Sequence, residues 1–346
     1  EIYTDIIVGS VNVYKRQGMN KGKKSIAVDM KNPEGKDLIT NLITAPGKDA
    51  GLFLTNLKVK GWLDYETLSE LRSDIIIVTL KGDRQGRPQV DYTVNPALGI
   101  PEITGHEGST EPVANAIPAW DMIAGNMCVS SLLAAERYRL RHGVGQDVEI
   151  ALKDVAAAAI GHLGMIADST LNTDDRSKAG NALYGAYGKD FLCADGNRVM
   201  IIGLTSRQWS GILKATDTTE QFKNLENEKN INLNDEAIRW KWRHEITAIL
   251  EPWFKTRAVE DFARDFDNTG LTWSVFRSVK EALEFDPDLS EDNPLFKKIK
   301  QPEAGEFLVP RHPANFSKVD NTEAKGAPAL GEHTEEILGD ILHLSD

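Results

Sequence analysis

Apolar and polar positions along the first half of the chain alternate between a period of two and a period near 3.6. Ser25 to Met30 reads as a short strand, and Asn32-Pro33-Glu34-Gly35 is a turn and start signal for a helix with Leu38, Leu42 and Ile43 on one face. Gly51 to Thr55 predicts a second strand and Tyr65 to Arg72 a helix. The run Asp74-Ile75-Ile76-Ile77-Val78-Thr79-Leu80 is the continuous apolar stretch of a strand buried in a parallel sheet. A Gly/Pro-rich loop from Asn95 to Pro118 follows. Asp121 can then cap a long helix with the face Met122, Val129, Leu133 and Leu140, closing on Arg137, Arg139 and Arg141 before Gly143. Val148, Ile150 and Leu152 alternate with Asp147, Glu149 and Ala151 as a further strand, and a small-residue helix is expected from Val155 to about Ser169. This alternation predicts an α/β layered fold.

From about Lys189 to Lys280 the pattern changes to a short β element, Val199 to Leu204, and amphipathic helices rich in Trp and charge, which predicts a second domain. Trp240, Trp242 and Trp253 stand at near-helical spacing among charges, as packing residues do. The tail from Pro328 returns to a short helix. The expected division is 1–188 as a large domain, 189–285 as a small one, and 286–346 as a linker and C-terminal return to the large domain. A length of 346 residues accommodates two domains. The net charge of −12 argues against an extended nucleic-acid surface and leaves room for a local basic pocket that takes a phosphorylated ligand. Two cysteines, Cys128 and Cys193, cannot build a metal cluster and form at most one disulfide, which points to a reducing compartment. The longest weakly polar stretch, Val155 to Ala167, carries His162 and is too short to span a bilayer, and the start of the chain has no signal-peptide pattern. A cytoplasmic enzyme is expected, with neither nucleic acid nor membrane as partner.

The residue that changes this picture is Asp154. It has the parity of Val148, Ile150 and Leu152, so a strand that persisted would aim its carboxylate to the buried side at a strand C-terminal end, where open α/β sheets bind ligands. A carboxylate there can act as a nucleophile toward an acyl group; on local sequence alone it can equally cap the following helix. Four segments decide between these: Asn20 to Lys31, Thr55-Asn56-Leu57, Gly145 to Asp154, and Leu330-Gly331-Glu332-His333-Thr334-Glu335-Glu336-Ile337-Leu338. In order and spacing they resemble the class III CoA-transferases, over nearly the whole chain. The resemblance implies a Rossmann-like large domain with a smaller α+β domain in an interlocked homodimer, and Asp154 as the catalytic aspartate.

Within that family, Ala151 to Ala156, Ile160 to Ala167, Gly180 to Gly188 and Asp91 to Pro96 resemble most the members that move CoA within one molecule, between the C1 and C4 carboxyls of mesaconate (2-methylfumarate). The same mapping implies CoA contacts at Val28, Lys31, Asn56 and Leu57, a looser one at Lys60, and Tyr92 near the acyl group. It implies no metal and no cofactor, CoA being part of the substrate. Lys23, Lys24, Lys31 and Lys60 are the cations available to the CoA phosphates. His162 lies eight residues beyond Asp154; it is either an acyl-site residue or a hydrogen-bonded interior histidine. His333 is expected to hold the C-terminal tail. Alternatives of the same fold are intermolecular CoA transfer between two acids and racemisation of a 2-methylacyl-CoA. The racemase motif places a histidine where this chain has Val90-Asp91-Tyr92-Thr93-Val94, so its base is missing. A non-catalytic CoA-binding or interaction protein is the alternative of another class. Family members open with a Val-rich strand, a Pro-containing turn and Leu-Gly-Ala-Asp. This chain starts Glu1-Ile2-Tyr3-Thr4 without them, and is expected to be truncated there, with part of the CoA site missing.

Overall fold

The structure, a computed structural model, describes residues 17–301 and 304–344; the opening stretch, where the sequence departs from the family pattern, lies outside the described residues as far as residue 16. In chain order the elements begin with α1 (Pro33–Ile43), β1 (Leu52–Thr55), α2 (Tyr65–Leu71), β2 (Ile76–Lys81), α3 (Asp91–Ala97), α4 (Ile100–Ile103), α5 (Ala119–His142), β3 (Gln146–Ala151), α6 (Leu152–His162) and α7 (Met165–Leu171). They continue with β4 (Tyr187–Leu192), β5 (Arg198–Gly203), α8 (Ser206–Ala215), α9 (Thr219–Lys229), α10 (Glu236–Lys241), α11 (Arg243–Lys255), α12 (Ala263–Thr269) and β6 (Thr272–Val275). The last are α13 (Val279–Phe285), β7 (Phe296–Gln301), β8 (Gly305–Pro310) and α14 (Thr334–Leu342).

Contacts gather these into two compact units. The first takes the described residues up to Val90, Trp120–Val155 and Val279 onward; the second takes Asp91–Ala119 and Ala156–Ser278. The second therefore includes residues expected in the large domain. The cause is local bonding: Gly180 donates its N–H to Gly105 O at 3.0 Å, and the Lys178 ammonium holds Glu111 O, which ties the 105–111 loop to the run before β4.

In the first unit three parallel strands lie in the order β1-β2-β3, with Ile76 beside Leu52 and Gln146. Helix starts obey the local chemistry: Asn32 accepts from Glu34 N–H at 3.0 Å ahead of α1, and Asp64 from Thr67 N–H at 2.8 Å ahead of α2. Leu68, Ile75 and Ile77 form the core, packed by Ile43, Phe53 and Tyr65. Arg139, buried on α5, donates to Ala50 O at 2.9 Å, Lys48 O at 3.3 Å and Asp74 O at 3.4 Å, which satisfies carbonyls leading into β1 and β2. The antiparallel hairpin β7-β8 and α14, which packs against α1, return from the far end of the sequence.

Four expectations are corrected. Ser25 to Met30 pairs with no strand among the described residues; backbone groups of Ser25 and Ala27 bond instead to the C-terminal tail, as with His333 N–H to Ser25 O at 2.9 Å. Within the Asn95–Pro118 loop the chain is helical at both α3, which begins at Asp91 and tolerates Pro96 near its end, and α4. The predicted face of the long helix is on the outside: Met122, Val129, Leu133 and Leu140 are exposed, while Trp120, Ala124, Cys128, Ala135 and Arg139 are buried. Ala124, Cys128 and Ala135 on the opposite face allow a close approach, with Trp120 and Arg139 buried beside them. The expected single helix from Val155 to Ser169 is two, starting at Leu152 and broken at Gly164, whose φ of 74° is left-handed.

The second unit has an antiparallel sheet in the order β4-β5-β6, covered by helices around an aromatic core. Phe191 stacks on Phe254 at 4.4 Å between ring centroids, and Trp253 on Phe266 at 5.7 Å. Arg239 is fully buried and its guanidinium donates to Gly203 O at 3.1 Å, Leu233 O at 2.7 Å and Leu204 O at 2.6 Å. The fork closes the end of β5 and the loop before α10. Cys193 lies in this core, and burial, followed by the Asp195 charge, pushes its thiol up to about 11. Burial raises the Cys128 thiol as well, and both cysteines are free. Neither thiol is expected to react with a thiolate-selective disulfide reagent at pH 8 until the protein is unfolded. Rapid native labelling of Cys193 would contradict its burial.

Candidate active site

Because β1, β2 and β3 are parallel, their C-terminal ends share one edge, and the loops leaving that edge carry the candidate residues. At the end of β1, Thr55 Oγ1 donates to Leu57 O at 3.2 Å and accepts Leu57 N–H at 2.9 Å, a tight turn that presents Asn56 and Leu57 to solvent. After β2, buried Asp83 accepts Gln85 N–H at 3.0 Å and Arg87 N–H at 2.9 Å and pairs with Arg87 Nε at 2.6 Å. That loop reaches the next one, for Lys153 donates its N–H to Gly82 O at 3.1 Å.

The strand expected to carry on to Asp154 ends at Ala151. Asp154 therefore lies in the first turn of α6 and is exposed, so the parity argument for a carboxylate aimed to the buried side does not hold. Helical spacing decides its direction. Leu152, Val155 and Ala156, at i, i+3 and i+4, are buried, and Asp154 falls on the other face. The result is an accessible carboxylate in the first turn of a helix, whose positive dipole end favours a negative charge there.

Val28 and Lys31 lie on the segment that enters α1. The loop after β1 follows the same helix: Trp62 Nε1 donates to Thr40 Oγ1 at 2.9 Å, and Lys36 Nζ sits 5.2 Å from the Trp62 ring centroid. Thus the loop that carries Asn56, Leu57 and Lys60 is tied at Trp62 to the helix that Val28 and Lys31 precede. Among the described residues Lys31 and Lys60 are exposed and make no ion pair. Lys24 is different, since the Glu336 carboxylate binds its ammonium and raises its pKa. Lys23 donates to Asn20 Oδ1 at 3.0 Å. Lys58 and Lys81 hold Glu149 at 3.0 and 2.5 Å, and these hydrogen bonds, Lys81's first, keep that carboxyl below the usual range. Of the four lysines read as phosphate cations, only Lys24 is paired with a charge among the described residues, and Lys23 has a neutral partner.

The model of CoA-transferase family III matches residues 13–334. The chain belongs to that family. A 2-methylfumaryl-CoA isomerase from Chloroflexus aurantiacus is 49% identical over 329 residues, 95% of this chain and 80% of the relative. A human succinyl-CoA:glutarate CoA-transferase is 25% identical, over 98% of this chain and 76% of its own. Among solved structures, a CAIB/BAIF family protein from Brucella suis superposes with a TM-score of 0.73 over 94% of this chain and 83% of its own, at 22% identity, a likeness of fold.

The remaining family III candidates lie in the second unit. Tyr92 is on α3 and 59% exposed, so it is not a packed core tyrosine. His162 ends α6 and is exposed, which excludes an interior histidine. Trp242 and Trp253 are partly buried and pack against the aromatic core, whereas Trp240 stands 4.9 Å from the Tyr184 ring and 4.2 Å below the Arg243 guanidinium. His333 does hold the tail, and with it act two residues that sequence reasoning passed over as chemistry, Gly331 and Thr334. Their signal was present in the Leu-Gly-Glu-His-Thr run, but the partner segment is about three hundred residues earlier, and no local pattern names it. Among the described residues no three His, Cys, Asp or Glu side chains are placed to hold a metal, and no helix is long and apolar enough to cross a membrane.

Proposed function

We propose that this family III chain isomerises 2-methylfumaryl-CoA to 3-methylfumaryl-CoA by moving CoA from the C1 to the C4 carboxyl of one mesaconate. The observation that carries this reading is 49% identity over 95% of the chain to a relative bearing that activity's name. The accessible carboxylate of Asp154 at the sheet's C-terminal edge supplies the chemistry.

Asp154 attacks the C1 thioester carbonyl, the C–S bond breaks, and a mixed anhydride and CoA thiolate result. The thiolate attacks the aspartyl carbonyl of the anhydride, leaving an aspartyl-CoA thioester and free mesaconate. The diacid turns, its C4 carboxylate attacks the aspartyl thioester, and CoA thiolate leaves again. Thiolate attack on the C4 carbonyl then gives the product and regenerates the Asp154 carboxylate. Every atom and charge is accounted for, and because CoA is itself the group moved, no resident cofactor is called for. Retaining the diacid makes the second half effectively unimolecular, worth up to about 7–11 kcal/mol of barrier in well-oriented systems.

Val28, Lys31, Asn56, Leu57 and Lys60 take the CoA moiety, with Tyr92 and His162 toward the acyl group. Lys31→Ala is expected to raise KM for the acyl-CoA about tenfold, ~1.4 kcal/mol, with kcat little changed, as steady-state kinetics would report. An unchanged KM would remove Lys31 from the site. A second copy of the chain covers the exposed apolar face of α5, where Met122, Val129, Leu133 and Leu140 lie, so a homodimer is expected by sedimentation and a monomer would refute it. Free, buried Cys128 and Cys193 fit work in the cytoplasm.

The activity itself is tested by incubating the protein with mesaconyl-C1-CoA and isotopically labelled free mesaconate, following isomers and label by mass spectrometry. Unlabelled C4 isomer is the expected product. Labelled product would mean the acid exchanges with solution, making this an intermolecular CoA-transferase, and no conversion would overturn the substrate.

A further inference from the structure

Ser25, Ala27 and the tail residues Gly331, His333 and Thr334 form a set of bonds that the reaction scheme does not use. His333 donates its backbone N–H to Ser25 O at 2.9 Å, and its ring Nδ1 accepts Ser25 N–H at 3.2 Å. Gly331 donates its N–H to Ser25 Oγ at 3.0 Å. Thr334 Oγ1 accepts Ala27 N–H at 3.0 Å and donates to Gly331 O at 2.8 Å. Gly331 has a φ of 71°, and a Cβ there would lie 2.9 Å from the Ala27 Cβ, so the tail approaches this segment as closely as backbone allows.

The next residues are pinned from the other side. Gly35, buried in the first turn of α1, lets Asp29 O come so near that a Cβ would stand 2.1 Å from it. Asp29 Oδ1 accepts Lys31 N–H at 2.9 Å, and Asn32 caps α1. Val28 and Lys31 are thus suspended between two anchors: the tail at residues 25–27, and α1 at residues 29–35. A segment in no sheet ladder among the described residues would otherwise sample many backbone conformations, at roughly 1–2 kcal/mol per residue to order on binding.

We infer that Gly331, His333 and Thr334 are positioning residues that hold Ser25–Ala27 in place, so that Val28 and Lys31 meet coenzyme A already ordered. This rests on the reading that Val28 and Lys31 contact CoA. The tail touches no reacting atom, and its effect is on ground-state binding.

The test uses the full chain, free coenzyme A as probe, and four variants: His333→Ala, His333→Asn, Thr334→Val and Thr334→Ser. Asn places an acceptor oxygen where Nδ1 stands, and Ser keeps the hydroxyl. His333→Ala and Thr334→Val are expected to speed amide hydrogen exchange at Ser25 and Ala27 respectively. They are also expected to weaken CoA binding by titration calorimetry, and raise acyl-CoA KM, about tenfold, with kcat within a factor of about two, while Asn and Ser restore both. Thr334→Val is near-isosteric, so it decides the matter if His333→Ala unfolds. Faster exchange with unaltered CoA affinity would overturn the inference and leave the tail as a purely structural tie. Unchanged exchange would overturn it by showing that these bonds are not the restraint. A wild-type chain that binds no CoA would instead strike the proposed function, and this inference would fall with it.

Discussion

Asp154→Ala is expected to lose turnover by a factor on the order of 10⁴ or more while melting within a degree or two of the wild type. The two halves of that expectation have different causes. Removing the carboxylate removes the proposed acyl acceptor, so neither the anhydride nor the aspartyl thioester can form. Stability is spared because Asp154 faces solvent in the first turn of α6 while Leu152, Val155 and Ala156 carry the burial. What is lost is a favourable helix-end charge, about 0.3–1 kcal/mol. Asp154→Asn keeps the shape without the nucleophile and is expected to be equally inactive but to bind CoA. In the wild type, peptide mass spectrometry after exposure to acyl-CoA should find the added mass on the peptide containing Asp154. Turnover surviving in either variant would sink the covalent scheme.

Arg239→Met is expected to have the largest effect on stability, about 3–5 kcal/mol by denaturant unfolding. Methionine fills most of the volume but donates nothing, so the carbonyls of Gly203, Leu204 and Leu233 lose their partner in a site closed to water. Each such orphaned acceptor costs on the order of 1–3 kcal/mol, and part of the sum is offset because the desolvated guanidinium is gone as well. That desolvation is real, as burial holds the Arg239 pKa below the ordinary arginine value. Arg239→Lys should recover only part of the loss, since a single ammonium cannot reach three carbonyls in a fork. An unchanged denaturation midpoint for Met would show that the three bonds contribute nothing net.

The parallel sheet was legible because β2 is buried on both sides and says so in an unbroken apolar run, and the helix starts at Asn32 and Asp64 because capping is local chemistry. The long helix was found, but its orientation was misread: Met122, Val129, Leu133 and Leu140 were assumed to face inward, and here Trp120, Ala124, Cys128, Ala135 and Arg139 do. Pro and Gly density concealed α3, although Pro96 falls near its end, where the missing N–H costs least. Asp154 was identified by resemblance, and its setting was not: β3 stops at Ala151, three residues before Asp154, which moves the carboxylate from a strand face to a helix face. Ser25 to Met30 has the composition of a strand and pairs with none among the described residues. Its partner is the tail, and separation along the chain is invisible to any window of sequence.

The bond between Ser25 and His333 spans 308 positions, and that has a temporal meaning during synthesis. Translation proceeds from the N-terminus at about 5–20 residues per second. All residues of the unit built from Asp91–Ala119 and Ala156–Ser278 are made before the tail. The tail residues that bond Ser25 and Ala27 are made about three hundred residues after them, so the segment leading into α1 waits for its hydrogen-bond partners while that whole unit is synthesised. A nascent chain arrested before Gly331 already carries Asp154 and the lysines but not the bonds at Ser25 and Ala27, so on the inference above Val28 and Lys31 become ordered for CoA only once residues 331–334 have been made.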